Sequence, residues 1–83
     1  MKEIDSLKQN DEVRVTIYGP DGATLYNATN SGYHSLEMAV REAVADSKIE
    51  INPEDCVFEI ENLTTGVAHR YRLNAHGNLK LII

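Results

Sequence analysis

The chain has 83 residues, of which 42% are apolar, and its thirteen acidic and eight basic side chains give a formal charge of −5. This length favours a single domain over residues 1–83 and excludes a two-domain enzyme. The one cysteine, Cys56, excludes an intramolecular disulfide framework and every multi-cysteine zinc pattern. Residues 1–12 are expected to form either a short docked helical turn or a frayed tail.

Nothing in the sequence indicates export or membrane insertion. The start, Met1-Lys2-Glu3-Ile4-Asp5, has no long apolar run, and no stretch of about 18 apolar residues occurs anywhere. We therefore expect a cytoplasmic protein with no membrane partner.

The first predicted elements are two strands joined by a tight turn. Val13–Tyr18 alternates apolar and polar residues, and Gly19-Pro20-Asp21-Gly22 has the residues of a hairpin turn. The second strand is expected over 23–28. A three-residue loop with a bulge at Gly22 pairs Ile17 with Leu25 and places Tyr26 on the face away from Ile17. A four-residue loop would swap the faces of the second strand.

An amphipathic helix is predicted next, from near Ser35 to near Ser47. Ser35 is a suitable N-cap residue, and Glu37 lies in the first turn. The apolar residues recur at helical spacing, at Leu36, Ala39, Val40, Ala43 and Val44.

Three further strands are predicted after a turn at 52–55, over 56–62, 67–74 and 78–83. The turn at 63–66 sets Phe58 opposite Tyr71 and Glu59 opposite Arg70, and the turn at 75–77 sets Leu73 opposite Leu79. Both turns therefore place the same apolar set on one face.

The element order ββαβββ predicts an α+β fold with two layers, in which one mainly antiparallel sheet carries one helix on one face. The helical crossover makes the second and third strands parallel in direction. Either end of the C-terminal meander can then pair beside the first strand, so the strand order 2-1-5-4-3 and the order 2-1-3-4-5 both remain open.

The sequence contains no pattern typical of catalysis. It has no glycine-rich phosphate loop, no helix with His at i and i+4 and no GxSxG turn. Cys56 and His69 share a face in the predicted register, but about four residues of strand, roughly 13 Å, separate them. We therefore expect no enzyme activity, no cofactor and no metal, with Cys56 as a buried structural residue.

The sheet face without the helix is the candidate for function. Its four cations and the acids Glu59 and Glu61 give a local charge of +2, so the remaining residues carry −7. Cross-strand ion pairs in solvent are the simplest interpretation of such a face. The candidate interaction residues are Arg14, Tyr18, Tyr26, Val57, Arg70, Arg72, Lys80 and Ile82.

Exposed apolar residues on this face favour a protein partner or a homodimer, and the sequence predicts a small protein-interaction module. The apolar run 79–83 would offer a sheet edge to a second copy. Two alternatives remain: nucleic-acid binding through the basic face, and an acidic helix side that mimics nucleic acid to block a DNA-handling protein.

The segment Tyr71-Arg72-Leu73-Asn74-Ala75-His76-Gly77-Asn78-Leu79, together with the Gly19-Pro20-Asp21-Gly22 hairpin, resembles small uncharacterised open reading frames of Gram-positive phages, prophages and plasmids. The resemblance covers about the last third of the chain. It implies an accessory cytoplasmic protein that acts by binding, and it assigns no catalytic or binding residue.

Overall fold

A computed structural model describes residues 10–33 and 35–82. Strands β1 (Val13–Tyr18) and β2 (Thr24–Asn30) form the predicted antiparallel hairpin. Pro20 and Asp21 occupy the centre of the turn, and Gly22 takes a φ of 89°, a left-handed conformation that costs glycine little. The Gly22 amide donates to the Gly19 carbonyl oxygen at 2.9 Å and closes the turn.

The register of this hairpin corrects the pairing of Ile17 with Leu25. Ile17 pairs with Tyr26 and Tyr18 with Thr24, so the register shifts at this point and Leu25 is the extra residue of a β-bulge. Because one inserted residue reverses the alternation of all that follow, Tyr26 lies on the face of Ile17. The prediction that Tyr26 lies on the open side of the sheet is therefore wrong. The turn itself has the predicted three-residue form, with the Gly19 amide donating to the Ala23 carbonyl oxygen at 2.8 Å, and it is the extra residue in β2 that swaps the faces.

Helix α1 (Leu36–Ser47) follows the predicted bounds. The Ser35 hydroxyl oxygen accepts a hydrogen bond from the Met38 amide at 3.1 Å and caps the N-terminus. Lys48 ends the helix in the left-handed conformation, with φ of 52°, and its amide donates to the Val44 carbonyl oxygen. A 3₁₀ turn, Pro53–Asp55, follows, with the Asn52 side chain accepting from the Glu54 amide.

The remaining strands are β3 (Val57–Asn62), β4 (Val67–Leu73) and β5 (Leu79–Leu81). Their predicted register is confirmed at Phe58 with Tyr71, Glu59 with Arg70 and Leu73 with Leu79. The sheet order is β2-β1-β3-β4-β5, with every neighbouring pair antiparallel. The α+β prediction is thus confirmed, and the second of the two strand orders is the observed one.

The core lies between the sheet and α1. The helix packs over β1 and β2, and the 3₁₀ turn packs on β4. Phe58 and Ile17 are fully buried at the centre, because the two residues are paired on the helix side of β3 and β1. The helix contributes its predicted apolar stripe, with Leu36, Ala39, Val40 and Ala43 buried and Val44 partly buried.

Of the predicted N-terminal tail, residues 1–9 lie outside the described residues. From position 11 onward the chain runs beside the end of β3. The Asn62 side-chain amide donates to the buried Asp11 carboxylate at 2.9 Å, and the Leu63 amide donates to the Glu12 carbonyl oxygen at 2.7 Å. These bonds extend the pairing of β1 with β3 by one step beyond the strand ends.

Within the described part of the chain, no helix has the length and apolar character needed to cross a bilayer.

Candidate interaction face

We call the sheet surface turned away from α1 the open face. Alternation along the strands and the observed registers determine which residues belong to it. Seven of the eight predicted interaction residues lie there, and only Tyr26 does not. The open face includes Arg14, Thr16, Tyr18, Val57, Glu59, Glu61, Arg70, Arg72, Lys80 and Ile82.

Ion pairs and hydrogen bonds connect the centre of the open face. Arg14 contacts Glu61 at 3.4 Å between Nη1 and Oε1, where β1 and β3 pair. Glu59 accepts a hydrogen bond from the Tyr18 hydroxyl at 3.0 Å and lies 3.4 Å from Arg70 Nε. The Arg70 guanidinium also lies 5.3 Å from the centroid of the Tyr18 ring, within cation–π range. The cross-strand pairing expected from sequence is therefore present on β1, β3 and β4.

Glu59 also controls the ionisation of Tyr18. Its hydrogen bond from the Tyr18 hydroxyl raises the pKa of that hydroxyl above the ordinary 10.0, with desolvation and the negative charge of Glu59 adding to the rise. Arg70 acts in the opposite direction. Tyr18 therefore stays neutral, and a donor, at physiological pH.

The middle of the open face is not bare. Thr16 is buried although it lies on this side of the sheet, and its hydroxyl oxygen accepts from the Asn27 side-chain amide at 2.9 Å. Because the bulge at Leu25 moves Tyr26 to the other face, β2 presents Thr24, Asn27 and Thr29 here. The sequence carried no signal for Asn27, since only the bulge brings it to this face.

The β4–β5 end of the open face differs from its centre. Arg72 and Lys80 are directly opposite each other in the register, and both are exposed. Neither forms an ion pair with another described residue. Like charges directly opposite each other on adjacent strands destabilise a sheet, so this arrangement leaves two cations available to an external anion.

A shallow concavity of about 260 Å³ lies beside Arg72. One wall is the β1–β2 turn and the other is the end of β3 and β4. Its volume is below that of typical ligand pockets, which range from roughly 300 to 1,000 Å³, and it is open to solvent. It therefore suits a side chain of a partner better than an enclosed small molecule. It is lined by Tyr18, Gly19, Pro20, Gly22, Val57, Arg70 and Arg72.

Cys56 and His69 do not meet. The register sets His69 opposite Ile60, so about four residues of β3, roughly 13 Å, lie between the level of His69 and Cys56. Cys56 is fully buried, its thiol lies 3.8 Å from the Asn52 carbonyl oxygen, and burial raises its pKa. In residues 10–33 and 35–82, no three His, Cys, Asp or Glu side chains are grouped to hold a metal ion.

No protein-family model, curated protein sequence or solved structure matches this chain. The resemblance to small phage and plasmid proteins remains a prediction.

Proposed function

We propose that this protein is a small non-catalytic interaction module that binds an acidic protein surface through the β4–β5 end of its open face. The observation that carries the proposal is the pair Arg72 and Lys80, which oppose each other without an acidic partner among the described residues. Elsewhere on this face Arg14 and Arg70 each contact a glutamate. Among the described residues of the open face, Arg72 and Lys80 are therefore the cations without an ion pair.

The surroundings of the two cations favour a protein as the partner. Ile82 is 39% exposed beside them, and Val57 and Tyr18 line the adjacent concavity. Apolar and aromatic groups next to exposed arginine are typical of protein interfaces, where a partner side chain fills a small depression and charges surround it. Charge then orients the partner, and the apolar contact adds affinity.

The test is affinity capture from a lysate of the source organism with three immobilised forms of the protein. The wild type and Lys48→Ala, which removes an exposed cation at the end of α1, should retain the same protein. Arg72→Ala/Lys80→Ala should lose it, because two charge contacts are removed at the centre of the site. Retention by all three forms, or by none, would contradict the proposal.

Single-stranded nucleic acid is a second candidate, favoured by Tyr18 next to Arg70 and Arg72 on an open sheet. It predicts that a fluorescent oligo(dT) strand binds at about 50 mM salt, that affinity falls steeply as salt rises, and that Arg70→Ala and Arg72→Ala weaken it. No change in anisotropy at about 50 mM salt would eliminate this function.

A further inference from the structure

The two edges of the sheet differ in their protection against pairing. β5 has three residues, one of them Lys80, and short length and lysine both prevent an edge strand from adding a neighbour. β2 has seven residues and contains no charged residue, proline or glycine. After the bulge at Leu25, the stretch 26–30 pairs regularly with β1. The outer side of β2 is therefore the sheet edge best able to accept another strand.

Acidic groups lie next to this edge on the helix side. Tyr33 is buried where β2 leads to α1, and its side chain is hydrogen-bonded to Asn30 at the end of β2. The carboxylates of Glu42 and Asp46 are near enough to act on the Tyr33 hydroxyl, and so is Tyr26 of β2. Both carboxylates belong to α1, which packs against β2.

The spacing of Glu42 and Asp46 is itself unfavourable. They are exposed and one helical turn apart, and like charges at i and i+4 destabilise a helix by a few tenths of a kcal/mol. Neither has an ion pair with another described residue. They add negative charge on the helix side of the sheet, where α1 packs against a strand that has no charge of its own.

We propose that the outer edge of β2 binds an extended basic peptide segment as a sixth strand of the sheet. Main-chain hydrogen bonds to β2 would hold the segment, and its alternate side chains would lie on the helix side. A lysine or arginine side chain of the peptide on the helix side would form charge contacts with Glu42 and Asp46, and the Tyr26 ring offers a cation–π contact. This site is separate from the β4–β5 end of the open face, which lies at the opposite edge of the sheet.

A second copy of the chain is the less suitable occupant. If two β2 strands paired antiparallel about a two-fold axis, both α1 helices would lie on the same side of the joined sheet. The Glu42 and Asp46 carboxylates of the two copies would then lie on the same side of the interface between the β2 strands, and their repulsion would oppose pairing. Charge complementarity thus selects a basic strand over self-association.

The experiment titrates the ¹⁵N-labelled protein at low salt with an eight-residue peptide of alternating lysine and valine. We expect amide shifts concentrated in Thr24–Asn30 and in α1 near Glu42 and Asp46, and little change in β5. The same peptide with alternate amides N-methylated should lose most of its affinity, since main-chain bonding is blocked on its pairing side. A peptide of alternating glutamate and valine should not bind.

Two matched double variants distinguish the loss of charge beside β2 from a general effect of charge removal on the folded protein. Glu42→Gln/Asp46→Gln should weaken peptide binding about fivefold, as expected for two exposed charge contacts. Glu50→Gln/Glu54→Gln removes the same charge from exposed positions beyond α1 and should leave the affinity within about twofold. Shifts confined to the open face, equal binding of both unmodified peptides, or an unchanged affinity of the first variant would overturn the proposal. So would concentration-dependent shifts of β2 without peptide, which would identify a second copy as the occupant.

Discussion

At the residue scale, Glu59 is the centre of the open-face network, because it holds both Tyr18 and Arg70. Glu59→Gln replaces the carboxylate that accepts the Tyr18 hydrogen bond with a neutral amide, and it also removes the negative charge that favours neutral Tyr18. We therefore expect the pKa of Tyr18 to fall toward its ordinary value of 10.0. The measurement is a pH titration of the tyrosine Cζ resonances by ¹³C NMR.

Tyr33 is the internal control for this titration. Its pKa is raised first by burial and then by Glu42, Tyr26 and Asp46, with the Asn30 hydrogen bond lowering it, so Glu59 plays no part. The Tyr33 resonance should titrate identically in wild type and Glu59→Gln. Because the pKa of Tyr18 is higher in the folded than in the unfolded protein, its contribution to the free energy of unfolding is fully present below the unfolded-state pKa. That contribution is lost as the pH rises through the folded-state pKa, so it disappears only in alkali, above about pH 10. An unchanged Tyr18 pKa would show that the Glu59 carboxylate does not raise it.

Cys56 is expected to be unreactive in the folded protein. Its side chain is fully buried, and burial followed by the negative charge of Asp55 raises its pKa above 9.0. Since the thiolate is the reactive form, iodoacetamide at pH 8 should label the native chain at least about tenfold more slowly than the urea-unfolded chain. Equal rates would mean that the environment of Cys56 opens readily in the native state.

At the element scale, the C-terminus of α1 carries backbone strain that one substitution can relieve. Lys48 has φ of 52°, a conformation that costs a side-chain-bearing residue about 1–2 kcal/mol and glycine much less. Lys48→Gly should raise the free energy of unfolding by about 0.5–1 kcal/mol, measured by urea denaturation. Lys48→Ala removes the same charge without relieving the strain, so it should give no such gain.

The C-terminal meander could be predicted from sequence and the N-terminal hairpin could not, for a physical reason. Two independent turns place Phe58, Tyr71 and Leu73 on one face, so any slip at one turn would conflict with the other. The hairpin has a single turn, and although that turn has the predicted form, no second turn fixes the register of β2 beyond it. Only tertiary packing decides that Leu25 bulges and that Tyr26 contacts the core.

The strand order could not be read from sequence either. Local patterns show which face of a strand is apolar, and they do not show which strand lies next to it. The choice of β3 as the neighbour of β1 is reinforced by contacts outside the strands, where Asn62 donates to Asp11 and Leu63 donates to Glu12. For the open face, the sequence was enough to place the four cations on the correct side of the sheet. The opposition of Arg72 and Lys80 at the end of that face was missed, although the predicted register of the meander already implied it.

At the scale of the whole molecule, β1, β3 and β4 have a neighbour on both sides, and of these β1 and β3 contain fully buried core residues. Their amides near Ile17 and Phe58 should show the slowest hydrogen exchange, because their opening requires global unfolding. The β5 amides should exchange faster through local opening. The order can be measured by NMR after transfer to D₂O, and slower exchange in β2 or β5 than in β3 would contradict it.

The pairing of β1 with β3 also determines how the chain reaches its native state. Val15 pairs with Ile60, so this contact closes a loop that includes β2, α1 and the 3₁₀ turn. Chain entropy opposes such a closure until the apolar faces meet, whereas the β1–β2 hairpin and the β3–β5 meander involve only local contacts. The two units should therefore form early and join in the rate-limiting step. Leu79→Ala weakens a contact formed before that step, so it should slow folding and leave the unfolding rate nearly unchanged in stopped-flow kinetics. Val15→Ala should slow folding and also accelerate unfolding, because the β1–β3 contact is only partly formed in the transition state.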